Sequence, residues 1–214
     1  MSIDCFNMTT AYLFGDALAS QFRLRKRVFI DRQNYAVPSW KGMEFDQYDT
    51  PATQYFVWRD EEGEARGVAR LAPTSLKYML EEIWPEKITA IDLPHSDRVW
   101  EATRFGVDNN LPPRVRNQIV KELICALLEY GITHGIDKII GLTAVAVIRN
   151  VFMRNGWSAK MVSPVWLEDG IEVQAGLLPV SLETLQNVRR HTQVGTVLNL
   201  LGEDLDGRET RVAA

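Results

Sequence analysis

Cysteine is scarce in this chain. The 214 residues contain two, Cys5 and Cys125, with no CxxC pair and no Cys/His neighbour. That excludes a disulfide-framed fold and argues against a zinc site or redox pair. The three histidines, His95, His134 and His191, lie far apart without ligand spacing, so no metal is expected. No apolar run approaches the length of a membrane span. The opening MSIDCFNMTT lacks a basic stretch followed by an apolar one, as a secretion signal would have. The expectation is a cytoplasmic protein with no membrane partner. Basic residues are not in excess: 24 Lys and Arg stand against 28 Asp and Glu, a formal charge of −4. A nucleic-acid binder would show a strongly basic face. No GxSxG nucleophile motif is present.

What is there is the composition of a globular domain, 46% hydrophobic and 24% charged, long enough to bury a real core. Charge is locally uneven. Arg23 to Arg32 holds five basic residues and one acid, and Arg104 to Lys160 holds eight against four. Such runs are usually solvated faces, with docking of an anionic partner the alternative.

Periodicity predicts a helix over Ala17 to Asp31, with Leu18, Phe22, Arg25 and Phe29 three to four apart. A long loop, Arg32 to Thr53, follows, and its Trp40, Phe45 and Tyr48 favour order. Strands are expected at Gln54–Arg59 and Ala65–Ala72, flanking the hairpin turn Asp60 to Glu64. A short helix follows at Leu76–Ile83, then a strand at Arg98–Val107. Pro112 and Pro113 introduce an amphipathic helix, Val115 to Tyr130. Lys138–Leu142 reads as a strand. Val147–Arg154 reads as a helix stopped at Asn155-Gly156. Met161–Trp166 and Val173–Pro179 read as strands, and Ser181, with Thr184 three on, opens a last helix. This order makes an α/β domain with a mixed sheet over residues 1–201, and a mobile tail is expected at 202–214.

Four segments carry the chemistry: FRLRKRVFIDRQNYAV, GMEFDQYD, GVARLAPT and VWEATRFGV. Glu44, Asp46 and Asp49 put three carboxylates within six residues, interleaved with Phe45 and Tyr48. The aromatics pull the loop against the body, so these acids must meet cations or stay wet. An organic cation suits them better than calcium, since the glycine and terminal Glu of an EF-hand are missing. Arg25 and Arg70 need acidic partners. Val68, Arg70 and Ala72 share one strand face, so Arg70 reaches across a cleft, with Asp46 or Asp49 as its partner. Strict alternation puts Glu101 and Arg104 on opposite faces. For both to serve one site, the strand must bulge or splay.

These segments, in this order, resemble the acyl-homoserine-lactone synthases of the autoinducer-synthase (LuxI) type, over about Phe22 to Val180. Tyr35 stands where that family usually has Trp. The resemblance implies a three-layer α/β/α sandwich of the N-acetyltransferase (GNAT) kind. It also implies joining of an acyl thioester to S-adenosylmethionine, giving an N-acyl-homoserine lactone and 5′-methylthioadenosine. S-adenosylmethionine is then a substrate, and no cofactor is needed. By resemblance it is bound by Arg25, Phe29, Tyr35, Asp46, Asp49, Arg70 and Arg104. The acyl group and its pantetheine arm, brought by acyl carrier protein or coenzyme A, fall to Arg104, Phe105, Thr143, Ala144 and Val147. After Val107 the chain runs Asp108-Asn109-Asn110-Leu111-Pro112-Pro113-Arg114. The glycine-rich pyrophosphate loop of ordinary acetyltransferases is therefore missing, as is typical of the resembled family.

The attacking α-amine must lose a proton, and Glu101 is the expected general base. Backbone donors beside Phe105 are the expected oxyanion stabilisers. Thr143 is the one hydroxyl among the neighbouring residues of the acyl wall. If the strand's backbone engages it, an unsubstituted or branched apolar chain is expected. Two rival readings stay open: an N-acyltransferase of the same fold acting on another amine, and a non-catalytic sensor of acyl thioester or S-adenosylmethionine.

Overall fold

The computed structural model describes residues 2–33 and 35–200; the tail expected at 202–214 lies outside them. In chain order the elements begin with β1 (Ile3–Phe6), a 3₁₀ turn (Ala11–Phe14) and α1 (Ala17–Arg25), whose winding widens to π-helical turns over Lys26–Arg32. The strands β2 (Ser39–Trp40), β3 (Met43–Glu44), β4 (Gln54–Arg59) and β5 (Ala65–Pro73) follow, then α2 (Met79–Ile83) and β6 (Val99–Val107). After α3 (Pro113–Thr133) and β7 (Lys138–Ala144) comes α4 (Val145–Val147), prolonged by irregular turns to Asn155. Last are β8 (Lys160–Met161), β9 (Trp166–Glu168), β10 (Ile171–Pro179), α5 (Leu182–Thr192) and β11 (Leu198–Asn199).

One mixed sheet in the order β11-β1-β4-β5-β6-β7-β10-β8, with β9 also on β10, forms the middle layer. Period-two alternation in β4 explains the layers. Phe56 and Trp58 join Ile119, Leu123 and Leu127 of α3 in one core, while Tyr55 and Val57 join Ala17 and Leu24 of α1 and Val28 of the π-helical turns in another. Helices thus cover both faces, as expected of the three-layer sandwich. No helix among the described residues is long and apolar enough to cross a membrane.

Two features of β6 create the site. Val68 and Arg70 of β5, two residues apart, pair with Gly106 and Thr103, three apart. The extra residue is a bulge, and Arg104 there takes φ +53°, the left-handed region that side chains seldom occupy. On its other edge β6 runs parallel to β7 only as far as the pair Glu101 and Ile140, after which the two strands part. Gly141 marks that point, since a Cβ there would come within 2.9 Å of the Ala102 carbonyl.

Several element bounds differ from the sequence reading. The expected strand Met161–Trp166 is split into β8 and β9. The Ser163 hydroxyl accepts from the Ala175 amide at 2.8 Å where a strand would offer its carbonyl, and Pro164 follows. The helix expected from Leu76 starts only at Met79, because Tyr78 is extended (φ −135°, ψ 160°). The long loop contains the small hairpin β2–β3, turned by Lys41 and Gly42 at φ +48° and +80°. The stop at Gly156 (φ +85°) and the Ser181 cap on the Thr184 amide (3.1 Å) agree with expectation.

Candidate active site

The four charged segments converge on the α1 side of the sheet, where β6 leaves β7. Arg25 on α1 and Glu44 at the end of β3 are both completely buried. Arg25 donates from Nε to Glu44 and forms a fork on Asp49, Nη1 to Oδ1 at 2.7 Å and Nη2 to Oδ2 at 2.9 Å. Arg70 makes the same fork on Asp46 at 2.6 and 3.1 Å, and its Nε donates to Thr103 Oγ1 at 2.8 Å. Arg104 joins the two halves, with Nη2 3.0 Å from Glu44 and 2.7 Å from Asp46. Three arginines thus meet three carboxylates. The loop's acids find their cations within the chain, and the cluster is a neutral, preorganised lattice of charge.

Such a lattice is stable in the interior only if nearly every donor has an acceptor. The loop supplies the rest: the Asp46 amide donates to Asp49, the Tyr48 amide to Asp46, and the Tyr55 hydroxyl to Asp49 at 3.0 Å. Burial works against ionisation of Asp49. The hydrogen bonds from Arg25 and the charges of Arg70 and Arg25 prevail, holding its pKa at about 2. Arg104 Nη1 is the exception, since its only hydrogen-bond contact among the described residues is the Met79 sulfur at 3.9 Å.

Glu101 occupies the neighbouring position on the same face, because the bulge turns Arg104 round to join Thr103 and Glu101. Its carboxylate accepts from the Met79 amide at 3.0 Å and the Leu80 amide at 2.7 Å, the first two residues of α2. It is 3% exposed. Burial raises its pKa to about 7, against the pull of the two amides and the charge of Arg70. A carboxyl so poised accepts a proton near neutrality.

Phe29 and Tyr35 stack at 5.9 Å between ring centroids, 20° from parallel, beside the cluster. Phe29 is buried and lies under the Arg104 guanidinium, while Tyr35 keeps 38% of its surface exposed. Gly106 admits this arrangement, as a Cβ there would come within 3.0 Å of the Phe29 ring.

Of the residues expected at the acyl group, Arg104 lies in this cluster and the other four are placed apart from it. Phe105 points to the opposite face of β6, toward α3, and meets Phe152 edge-on at 5.4 Å. Thr143 and Ala144 end β7, pairing with Gln174 and Val173, and Val147 follows in α4; all three are half-buried. The Thr143 hydroxyl makes no hydrogen bond among the described residues. The condition attached to an unsubstituted or branched chain, a hydroxyl engaged by the strand's backbone, is therefore not met.

The sequence reading left Glu44 out of the assigned site, although it bridges Arg25 and Arg104. Alternation alone would turn Met43 and Phe45 inward, yet Glu44 is buried and Phe45 is 39% exposed, so the only signal for Glu44 was its place in the acidic loop. Thr103 had no signal beyond its face, and the two α2 amides had none. Among the described residues no group of three or more His, Cys, Asp or Glu side chains could hold a metal ion.

A family model for autoinducer synthases matches residues 11–188. The chain is similar to the acyl-homoserine-lactone synthase of Aeromonas salmonicida, 37% identical over 139 residues, 63% of this chain and 66% of that protein. It is also similar to the acyl-homoserine-lactone synthase of Acinetobacter nosocomialis, 32% identical over 174 residues, 78% of this chain and 94% of that protein. Among solved structures, the coenzyme-A-dependent acyl-homoserine lactone synthase BjaI, with SAM and isopentyl-CoA, shares the fold. The TM-score is 0.85 over 96% of this chain and 95% of that one, at 21% identity. The chain therefore belongs to the autoinducer synthase family and is an enzyme of the acyl-homoserine-lactone synthase class.

Proposed function

We propose that this chain acylates S-adenosylmethionine from an acyl thioester and closes the product to an N-acyl-homoserine lactone, releasing 5′-methylthioadenosine. The observation that carries the reading is the pair flanking Met79. Glu101 accepts the Met79 amide at 3.0 Å, and the free arm of Arg104 lies 3.9 Å from the Met79 sulfur. An amino-acid head group needs such a pair, a cation for its carboxylate beside a carboxylate for its amine. The stacked Phe29 and Tyr35 offer π faces for a sulfonium and an adenine. Arg25, Arg70, Asp46 and Asp49 act mainly by holding Arg104 and the loop in place.

In this reading the ammonium gives its proton to Glu101, and the neutral nitrogen attacks the thioester carbonyl. The tetrahedral oxyanion collapses, the carbon–sulfur bond breaks, and the thiolate leaves with a proton. The methionyl carboxylate then displaces the sulfonium at the γ-carbon, forming the ring carbon–oxygen bond. The C–S electron pair stays on methylthioadenosine. Holding that chain bent supplies much of the second step's acceleration. The thioester enters from the α3 side, through the gap between β6 and β7 beside Phe105, Thr143, Ala144 and Val147. Its carrier is coenzyme A or acyl carrier protein; BjaI is a coenzyme-A-dependent relative.

Incubating the purified protein with S-adenosylmethionine and a panel of acyl thioesters, reading methylthioadenosine and acylated product, tests the proposal. Acylated amine without methylthioadenosine would indicate a plain N-acyltransferase. Binding without turnover would indicate a sensor.

A further inference from the structure

Tyr48 lies in the acidic loop between Asp46 and Asp49, yet its hydroxyl takes no part in the arginine lattice. It donates instead to Glu82 Oε2 at 2.9 Å, across 34 residues, on α2. Tyr48 is 5% exposed, whereas Glu82 stands at the surface, with Lys77 Nζ 3.3 Å from its other oxygen. Burial and the Glu82 carboxylate push the Tyr48 hydroxyl up to about 12, so it remains a donor throughout the working range.

α2 spans five residues and has no side-chain cap. A helix so short does not hold itself together in water. Its first two amides nonetheless carry the hydrogen bonds to Glu101. Something outside the helix must fix it, and the Tyr48 bond ties it directly to the loop that grips Arg25 and Arg70.

We propose that the Tyr48–Glu82 hydrogen bond is a positioning device: it holds α2 so that the Met79 and Leu80 amides stay on Glu101, setting the acidic loop and the base as one unit. The inference rests on the reading of Glu101 as the base, but its first test does not.

Amide exchange measured by NMR on the whole protein reads the device directly. Tyr48→Phe should speed exchange at Met79 and Leu80 about tenfold, the effect of losing one hydrogen bond to a charged group, with α3 amides unchanged. Glu82→Ala, at an exposed position, removes the acceptor and should do the same, and the double variant should add nothing further. The second test is the pH profile of methylthioadenosine release. The two amides favour the ionised carboxylate, so loosening them raises the Glu101 pKa. The acid-side midpoint of kcat/KM should then move to higher pH. Arg70 from β5, Asp46 from the loop and Tyr78 ahead of α2 face the same carboxyl and are unchanged in the variants.

Wild-type exchange at Met79 and Leu80 in folded Tyr48→Phe and Glu82→Ala proteins would overturn the proposal. So would faster exchange with an unmoved pH profile in a protein where Glu101→Gln abolishes turnover. If Glu101→Gln keeps full turnover, the base assignment fails instead, while the exchange result still stands for the tether.

Discussion

Replacing Asp49 by Asn should cost this protein much of its stability as well as its substrate. Asp49 accepts both ends of the Arg25 guanidinium, the Tyr55 hydroxyl and the Asp46 amide, with Arg70 Nη1 at 3.0 Å, and its side chain is 3% exposed. Its pKa falls from the ordinary 3.8 to about 2, so Asp49 contributes stability that depends on its ionisation. An amide keeps one acceptor but turns the other oxygen into a donor facing donors. It also leaves the lattice with one positive charge too many. Breaking a buried pair on one side costs about 3–5 kcal/mol, and that range is expected here. For a domain of this size the melting temperature should drop by about 6–20 °C.

The sign with pH follows from the depressed value. The Asp49 contribution is complete above the unfolded pKa near 4 and disappears as pH falls through about 2. The wild-type protein should therefore lose its advantage over Asp49→Asn across that window. Thermal and urea unfolding of both proteins between neutral and acid pH makes the measurement. A mutant melting within about 2 °C of wild type at neutral pH would refute the claim that this lattice carries stability.

Glu101→Gln keeps the shape of the base and removes its proton affinity, so kcat should fall roughly 10²–10⁴-fold with little change in S-adenosylmethionine binding. Wild-type turnover across pH would mean that solvent or another group takes the proton. Asp46→Ala frees one fork of Arg70 and one contact of Arg104, and calorimetry should show weakened S-adenosylmethionine binding; unchanged affinity in a folded mutant would refute the assignment. The free hydroxyl of Thr143 leads to a prediction about the acyl chain. An unpaired polar group brought into an apolar wall costs about 1–3 kcal/mol, so Thr143→Val should reduce the share of lactones bearing an acyl oxygen about fivefold or more. Mass spectrometry of lactones from a host expressing each form would show it, and an unaltered lactone profile would exclude Thr143 from chain selection.

Much of the architecture was legible in the sequence, and for local reasons. The alternation that sends Phe56 and Trp58 one way and Tyr55 and Val57 the other is a property of β4 alone. The Ser181 cap and the Gly156 stop are decided within four residues, so they can be read without knowing the rest of the fold. The charged segments stood out because Arg25, Arg70 and the loop acids sit among apolar and aromatic neighbours that bury them. Buried charges must find partners.

Which partner each charge finds was decided only in three dimensions. Arg25 meets Glu44 across 19 residues and Arg104 meets it across 60, separations at which no periodicity carries information. The pairing of Arg104 with Glu101 on one face contradicts strict alternation and depends on the register of β6 against β5, where one extra residue inverts every side chain beyond it. The Ser163 contact with the Ala175 amide that helps split the strand after Met161, and the amides that α2 lays on Glu101 across 22 and 21 residues, likewise arise only in three dimensions. The chain's local chemistry determined which groups must be buried together. The sheet's register and one bulge determined which atoms touch, because a single-residue shift along a strand turns a side chain to the opposite face.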